Sequence, residues 1–83
     1  METQIDLIFS ELKDIVNRLG IKLHRTSSGF SEGLCILNGE KIITYDPLSP
    51  KTKKAKIFAR AVKETGIEGI FIKPVVRDFI DEV

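Results

Sequence analysis

Tryptophan is absent from this chain, and cysteine, histidine and tyrosine occur once each. A single cysteine, Cys35, excludes a disulfide within the chain, so the fold needs no oxidising compartment. One histidine and one cysteine are too few for the usual zinc ligand sets, which draw three or four side chains mainly from those two types. His24 and Cys35 would have to borrow a carboxylate from elsewhere in the fold, so no metal and no cofactor is expected. No apolar run approaches the ~20 residues that cross a bilayer. Met1 to Asp6 lacks a basic stretch leading into an apolar core, so neither a membrane span nor a signal peptide is expected. Neither sign of charge dominates: 13 basic against 12 acidic residues leave a net charge of +1. A strongly charged partner would have to be drawn by local clustering rather than by the total. These absences together point to a cytoplasmic protein.

What is present is a globular balance. Hydrophobic residues make up 42% and charged residues 30%, which is too apolar for a disordered chain. The 83 residues suit one domain over 1–83, with no internal repeat and no linker-like stretch at which to divide it. A domain of this size buries only roughly 60–65% of its unfolded surface, so it has little stability to spare.

Periodicity predicts the elements. Ile5, Ile8, Phe9, Leu12, Ile15, Val16 and Leu19 recur at helical spacing, with Thr3 placed as N-cap and Gly20 as the stop. Ile21 and Leu23 alternate with Lys22 and His24, which predicts a strand with one buried and one wet face. Residues 27–33 form a Ser/Gly loop around Phe30. Leu34-Cys35-Ile36-Leu37 and Glu40-Lys41-Ile42-Ile43-Thr44-Tyr45 flank Asn38-Gly39, and that pair favours the positive φ angles of a two-residue hairpin turn. Ser49 as N-cap and Pro50 at the first position predict a second helix to about Thr65. Its inner face is Ala55, Ile57, Phe58, Ala61 and Val62. Ile70 to Lys73 alternates as a possible fourth strand, and Pro74 opens a last helix with Val75, Val76, Phe79, Ile80 and Val83 inward. The expected fold class is therefore α+β: a small antiparallel sheet of three or four strands, including the Asn-Gly hairpin, with about three helices packed on one face.

Catalytic signatures are thin. A Cys35–His24 nucleophile–base pair would sit on strands that are candidates for neighbours, but Leu34, Ile36 and Leu37 around the thiol disfavour the thiolate that reactivity needs. Cys35 reads better as a small hydrophobe, and His24 as a solvated residue of a polar strand face. The Ser/Gly loop lacks phosphate-loop spacing, leads into a strand rather than a helix, and carries Glu32, which would repel phosphate. Asp78, Asp81 and Glu82 beside Arg77 fit a solvated helix face better than an acid–base pair.

One charge pattern stands out. Lys53, Lys56, Arg60 and Lys63 fall at spacings of three, four and three on the second helix, along one face. Lys51 and Lys54 add charge near its start, and Glu64 is the only acid between Pro50 and Thr65. Such a stripe suits an acidic protein surface or a nucleic-acid backbone, and it also suits plain solvent. A single Arg and no interleaved aromatic residue weaken the nucleic-acid reading. Phe30, an aromatic in a Ser/Gly loop, is a second candidate anchor.

Two resemblances bear on function. Glu32-Gly33-Leu34-Cys35, Asn38-Gly39, Leu48-Ser49-Pro50, Gly69-Ile70-Phe71-Ile72-Lys73-Pro74 and Val76-Arg77 resemble a group of small bacterial proteins of uncharacterised function, which brings no activity with it. The hairpin, Asp46-Pro47-Leu48-Ser49-Pro50 and the following helix resemble the core of the ImmA/IrrE-type zinc metallopeptidases. In that family the helix carries H-E-x-x-H, two zinc ligands and a general base. The matching stretch, Phe58-Ala59-Arg60-Ala61-Val62-Lys63-Glu64, has no His and no Glu in the base position, so the resemblance implies an inactive, metallopeptidase-like scaffold. The reading that follows is a non-enzymatic binding or regulatory module for a protein partner. Its expected binding residues are Lys53, Lys56, Arg60, Lys63 and Phe30, and nucleic-acid binding through the same stripe is the alternative. A homodimer is a further possibility, because Leu34–Leu37 and Ile70–Ile72 suit an exposed sheet edge.

Overall fold

α1 (Gln4–Arg18) follows the first apolar stripe, and its Ile8, Phe9, Leu12, Ile15 and Val16 are buried. The computed structural model of the chain describes residues 4–26, 32–67 and 69–83, so Thr3 and Phe30 lie outside the described residues. The helix ends in a Schellman cap. Gly20, at φ 76°, donates to the Asn17 carbonyl at 3.1 Å, and Ile21 N–H reaches the Val16 carbonyl at 3.2 Å. Only the left-handed backbone at Gly20 lets the chain reverse this tightly. The reversal also brings buried Ile21 back onto the cluster that holds Val16.

The remaining elements are β1 (Lys22–Arg25), β2 (Gly33–Leu37), β3 (Glu40–Tyr45), α2 (Lys51–Thr65) and α3 (Pro74–Glu82), an α+β fold of three helices and three strands. The strands lie in the order β1-β3-β2. β2 and β3 run antiparallel with Leu37 opposite Glu40, and Asn38 and Gly39 between them take φ of 52° and 80°. β1 pairs with β3 in parallel, Leu23 beside Ile43. The sheet is therefore mixed, and the expected all-antiparallel arrangement is corrected. The physical reason is the position of β3. Its Ile43 is fully buried, and a strand that supplies the core needs both backbone edges paired. β1 completes the edge that β2 leaves open.

β1 departs from its expected alternation, since all four of its residues are exposed. α2 packs across β2 and β3, which leaves β1 at the margin, and only Ile21, just before the strand, is buried. The expected fourth strand at Ile70–Lys73 does not form. Ile70 N–H turns back to the Ile67 carbonyl at 3.3 Å and Gly69 takes φ 82°, so the chain makes a reverse turn instead of extending. Lys73 caps α3 and Pro74 sits in its first turn. Phe58 of α2, fully buried, centres the core with Phe9 and Tyr45 at ring-centroid distances of 5.1 and 5.6 Å. Ala55, Ala59 and Ala61 are also buried, which lets α1 and α3 close onto α2.

Candidate functional site

The N-terminal half of α2 and the edge strand β2 enclose a groove of about 210 Å³ lined by Lys53, Lys56, Ile57, Arg60, Glu32, Gly33 and Leu34. Its placement follows from the local sequence. Ile57 and Leu34 face the core side and form a half-buried apolar floor. Lys53, Lys56 and Arg60, at spacings of three and four, stand exposed along one wall. Three of the four expected stripe residues thus meet at one groove. Lys63 does not: its Nζ donates to the Val83 carbonyl at 2.9 Å, at the end of α3. Lys51 pairs with Asp6 of α1. Lys54 donates to the Pro47 carbonyl and lies over the Phe9 ring at 5.3 Å. Both belong to the scaffold rather than the groove.

At one end of the groove is Glu32, whose side chain is only 9% exposed. Its Oε1 accepts from Ser49 Oγ at 2.6 Å and from the Asp46 amide at 3.3 Å. Its Oε2 is buried without a hydrogen-bond partner among the described residues, and Lys53 Nζ stands 3.6 Å away. The Ser49 hydrogen bond, above all, holds this carboxyl below the usual carboxylate range, against the opposing pull of partial burial. The Lys53 charge and the Asp46 amide add to the lowering. Ser49 was expected to cap α2. Instead Pro50 takes the N-cap position with no side-chain cap, and the Ser49 hydroxyl serves Glu32. The Asp46 side chain holds the preceding turn by accepting from Leu48 N–H at 2.9 Å. Glu32 was read from the sequence only as a loop acid, and nothing in its neighbours in sequence pointed to Ser49.

Among the described residues no ion pair or hydrogen bond engages Lys56 or Arg60. Two cations over an apolar floor, beside a third that is partly neutralised by a buried carboxylate, can attract an anionic chain.

Among the described residues α2 is the helix packed on β2 and β3, and the opposite sheet face is built of the remaining side chains. His24, Thr44 and Gly33 form one cross-strand row, and Lys22, Ile42 and Cys35 form the next. His24 and Cys35 are therefore separated by the whole of β3, which corrects the expectation of neighbouring strands. Cys35 is exposed rather than packed as a small hydrophobe, because on β2 it points away from α2. In α2 the stretch from Phe58 to Glu64 buries Phe58, Ala59, Ala61 and Val62 and exposes Arg60, Lys63 and Glu64. No helix among the described residues is long and apolar enough to cross a membrane. No protein-family model, curated protein or solved structure matches the chain.

Proposed function

We propose that the protein is a non-enzymatic binding module that takes an acidic segment of a protein partner in the groove between α2 and β2. The observation that carries this reading is the pair of cations, Lys56 and Arg60, that no ion pair or hydrogen bond engages among the described residues, above Ile57 and Leu34. Long basic side chains beside an apolar floor suit a peptide, whose carboxylates meet the cations while the aliphatic stems of those acidic side chains lie over the floor. A nucleic-acid backbone fits the same groove less well. Among the described residues the groove lining includes no aromatic ring for a base to stack on. We place the module in the cytoplasm, where an exposed Cys35 stays a free thiol.

The test is a fluorescence-anisotropy titration with a labelled short peptide of alternating Glu and Val, beside duplex DNA and single-stranded RNA, at low and physiological salt. The expected result is peptide binding that weakens with salt and is lost in the Lys56→Glu/Arg60→Glu double variant. Tighter binding of either nucleic acid than of the peptide, lost in the same variant, would overturn this reading in favour of the nucleic-acid one.

A further inference from the structure

We infer that the groove receives its acidic segment as an added β-strand on the open edge of β2; this rests on the acidic-partner reading above and specifies how the partner is held. β2 is an edge strand. Its two-residue turn makes Leu37 and Glu40 a hydrogen-bonded pair, and the pairs alternate from there. Gly33, Cys35 and Leu37 bond to β3, whereas the N–H and C=O of Leu34 and Ile36 point away from it. The Tyr45 carbonyl, which accepts from Thr26 N–H of the β1 side at 2.8 Å, agrees with this alternation. Leu34 and Ile36 therefore present donors and acceptors outward beside α2, and Ile36 is 66% exposed.

The charge spacing matches a strand. Side chains on one face of an added strand repeat every two residues, about 6.6–6.8 Å. Lys56 and Arg60, four helical residues apart, are separated by about 6 Å along α2. Carboxylates at alternate positions of the segment can thus meet both cations in step, while the intervening side chains face the open side, where Leu37 is 57% exposed. Main-chain bonds supply general affinity in this mode and the alternate side chains supply selectivity. A second copy of the chain is the poorer occupant. Pairing β2 with β2 of another copy would bring two rows of Lys56 and Arg60 to one seam, and like charges there oppose association.

The experiment compares three peptides of alternating Glu and Val on the wild-type protein: unmodified, N-methylated at every Glu, and N-methylated at every Val. In a strand only one alternate set of N–H groups points at β2, so one methylated peptide loses about tenfold in affinity or more and the other keeps it. Loss from the Glu set indicates antiparallel addition, because residues opposite Leu34 and Ile36 share their face and donate directly. Loss from the Val set indicates parallel addition, where donation is offset by one residue. Equal affinity of the two methylated peptides, kept or lost together, overturns the strand mode while leaving the groove as an acidic site. No binding of the unmodified peptide even at low salt overturns the acidic-partner reading itself. A dimer detected by sedimentation, with an interface that excludes the peptide, overturns the proposal in favour of self-pairing.

Discussion

Ser49 Oγ donates a 2.6 Å hydrogen bond to Glu32 Oε1, joining the residue just before the α2 cap to the residue just before β2. That bond ties the chain entering α2 to the chain entering β2 at the Lys53 end of the groove, across a separation of seventeen residues.

The first prediction concerns pH. Glu32 has its carboxyl lowered in the folded state, so in acid the unfolded chain takes up the proton more readily than the folded one. The stability this contributes is present in full above the ordinary glutamate value of about 4.3 and is lost as pH falls below that value toward the folded one. Wild type should therefore melt higher than Glu32→Gln at pH 7, and the difference should close on acidification toward pH 3. A difference that stays constant across that range would contradict the assignment.

The second prediction concerns the β2–β3 turn. Gly39 has φ 80°, and a Cβ placed there would meet nothing within 4 Å. Gly39→Ala should therefore cost only backbone strain, roughly 1–2 kcal/mol. The melting temperature should drop by about 4–8 °C per kcal/mol for a domain of this size. An unchanged melting temperature would mean that the turn does not hold the left-handed backbone described.

Local chemistry was legible in the residues; long-range pairing was not. The stripes of α1 and α2 bury most of the residues their spacing selects, because helical periodicity is a property of neighbours within a few positions; Ile5, Leu19 and Ile57 are only partly buried, and Ala59 is buried outside the expected face. The cations of Lys53, Lys56 and Arg60 could be seen to share a face for the same reason. The parallel pairing of β1 with β3 depends on which strand takes the centre, and nothing in the local pattern of Lys22–Arg25 names its partner strand. The Ser49–Glu32 bond joins positions seventeen apart, and Ser-Pro before a helix reads first as a cap. Lys63 belongs to the stripe by spacing, yet the end of α3 reaches it first.

The third prediction tests the register of the edge. Ile36→Pro removes an N–H that points outward, whereas Cys35→Pro removes one that bonds to β3. Cys35→Pro should destabilise the fold more than Ile36→Pro, by on the order of 1–3 kcal/mol, measured by urea denaturation. The reverse order would place the opposite set of amides at the open edge.

The most direct test of the central claim is a charge exchange. The Lys56→Glu/Arg60→Glu variant is titrated against two short peptides, one alternating Glu and Val and one alternating Lys and Val. Both substitutions are on exposed side chains, so the fold should keep its stability within about 0.5 kcal/mol. The account predicts that wild type binds the Glu peptide and rejects the Lys peptide, and that the variant reverses this preference. A variant that loses the Glu peptide without gaining the Lys peptide, or that keeps the Glu peptide, would contradict the claim that Lys56 and Arg60 read the charge of a bound strand.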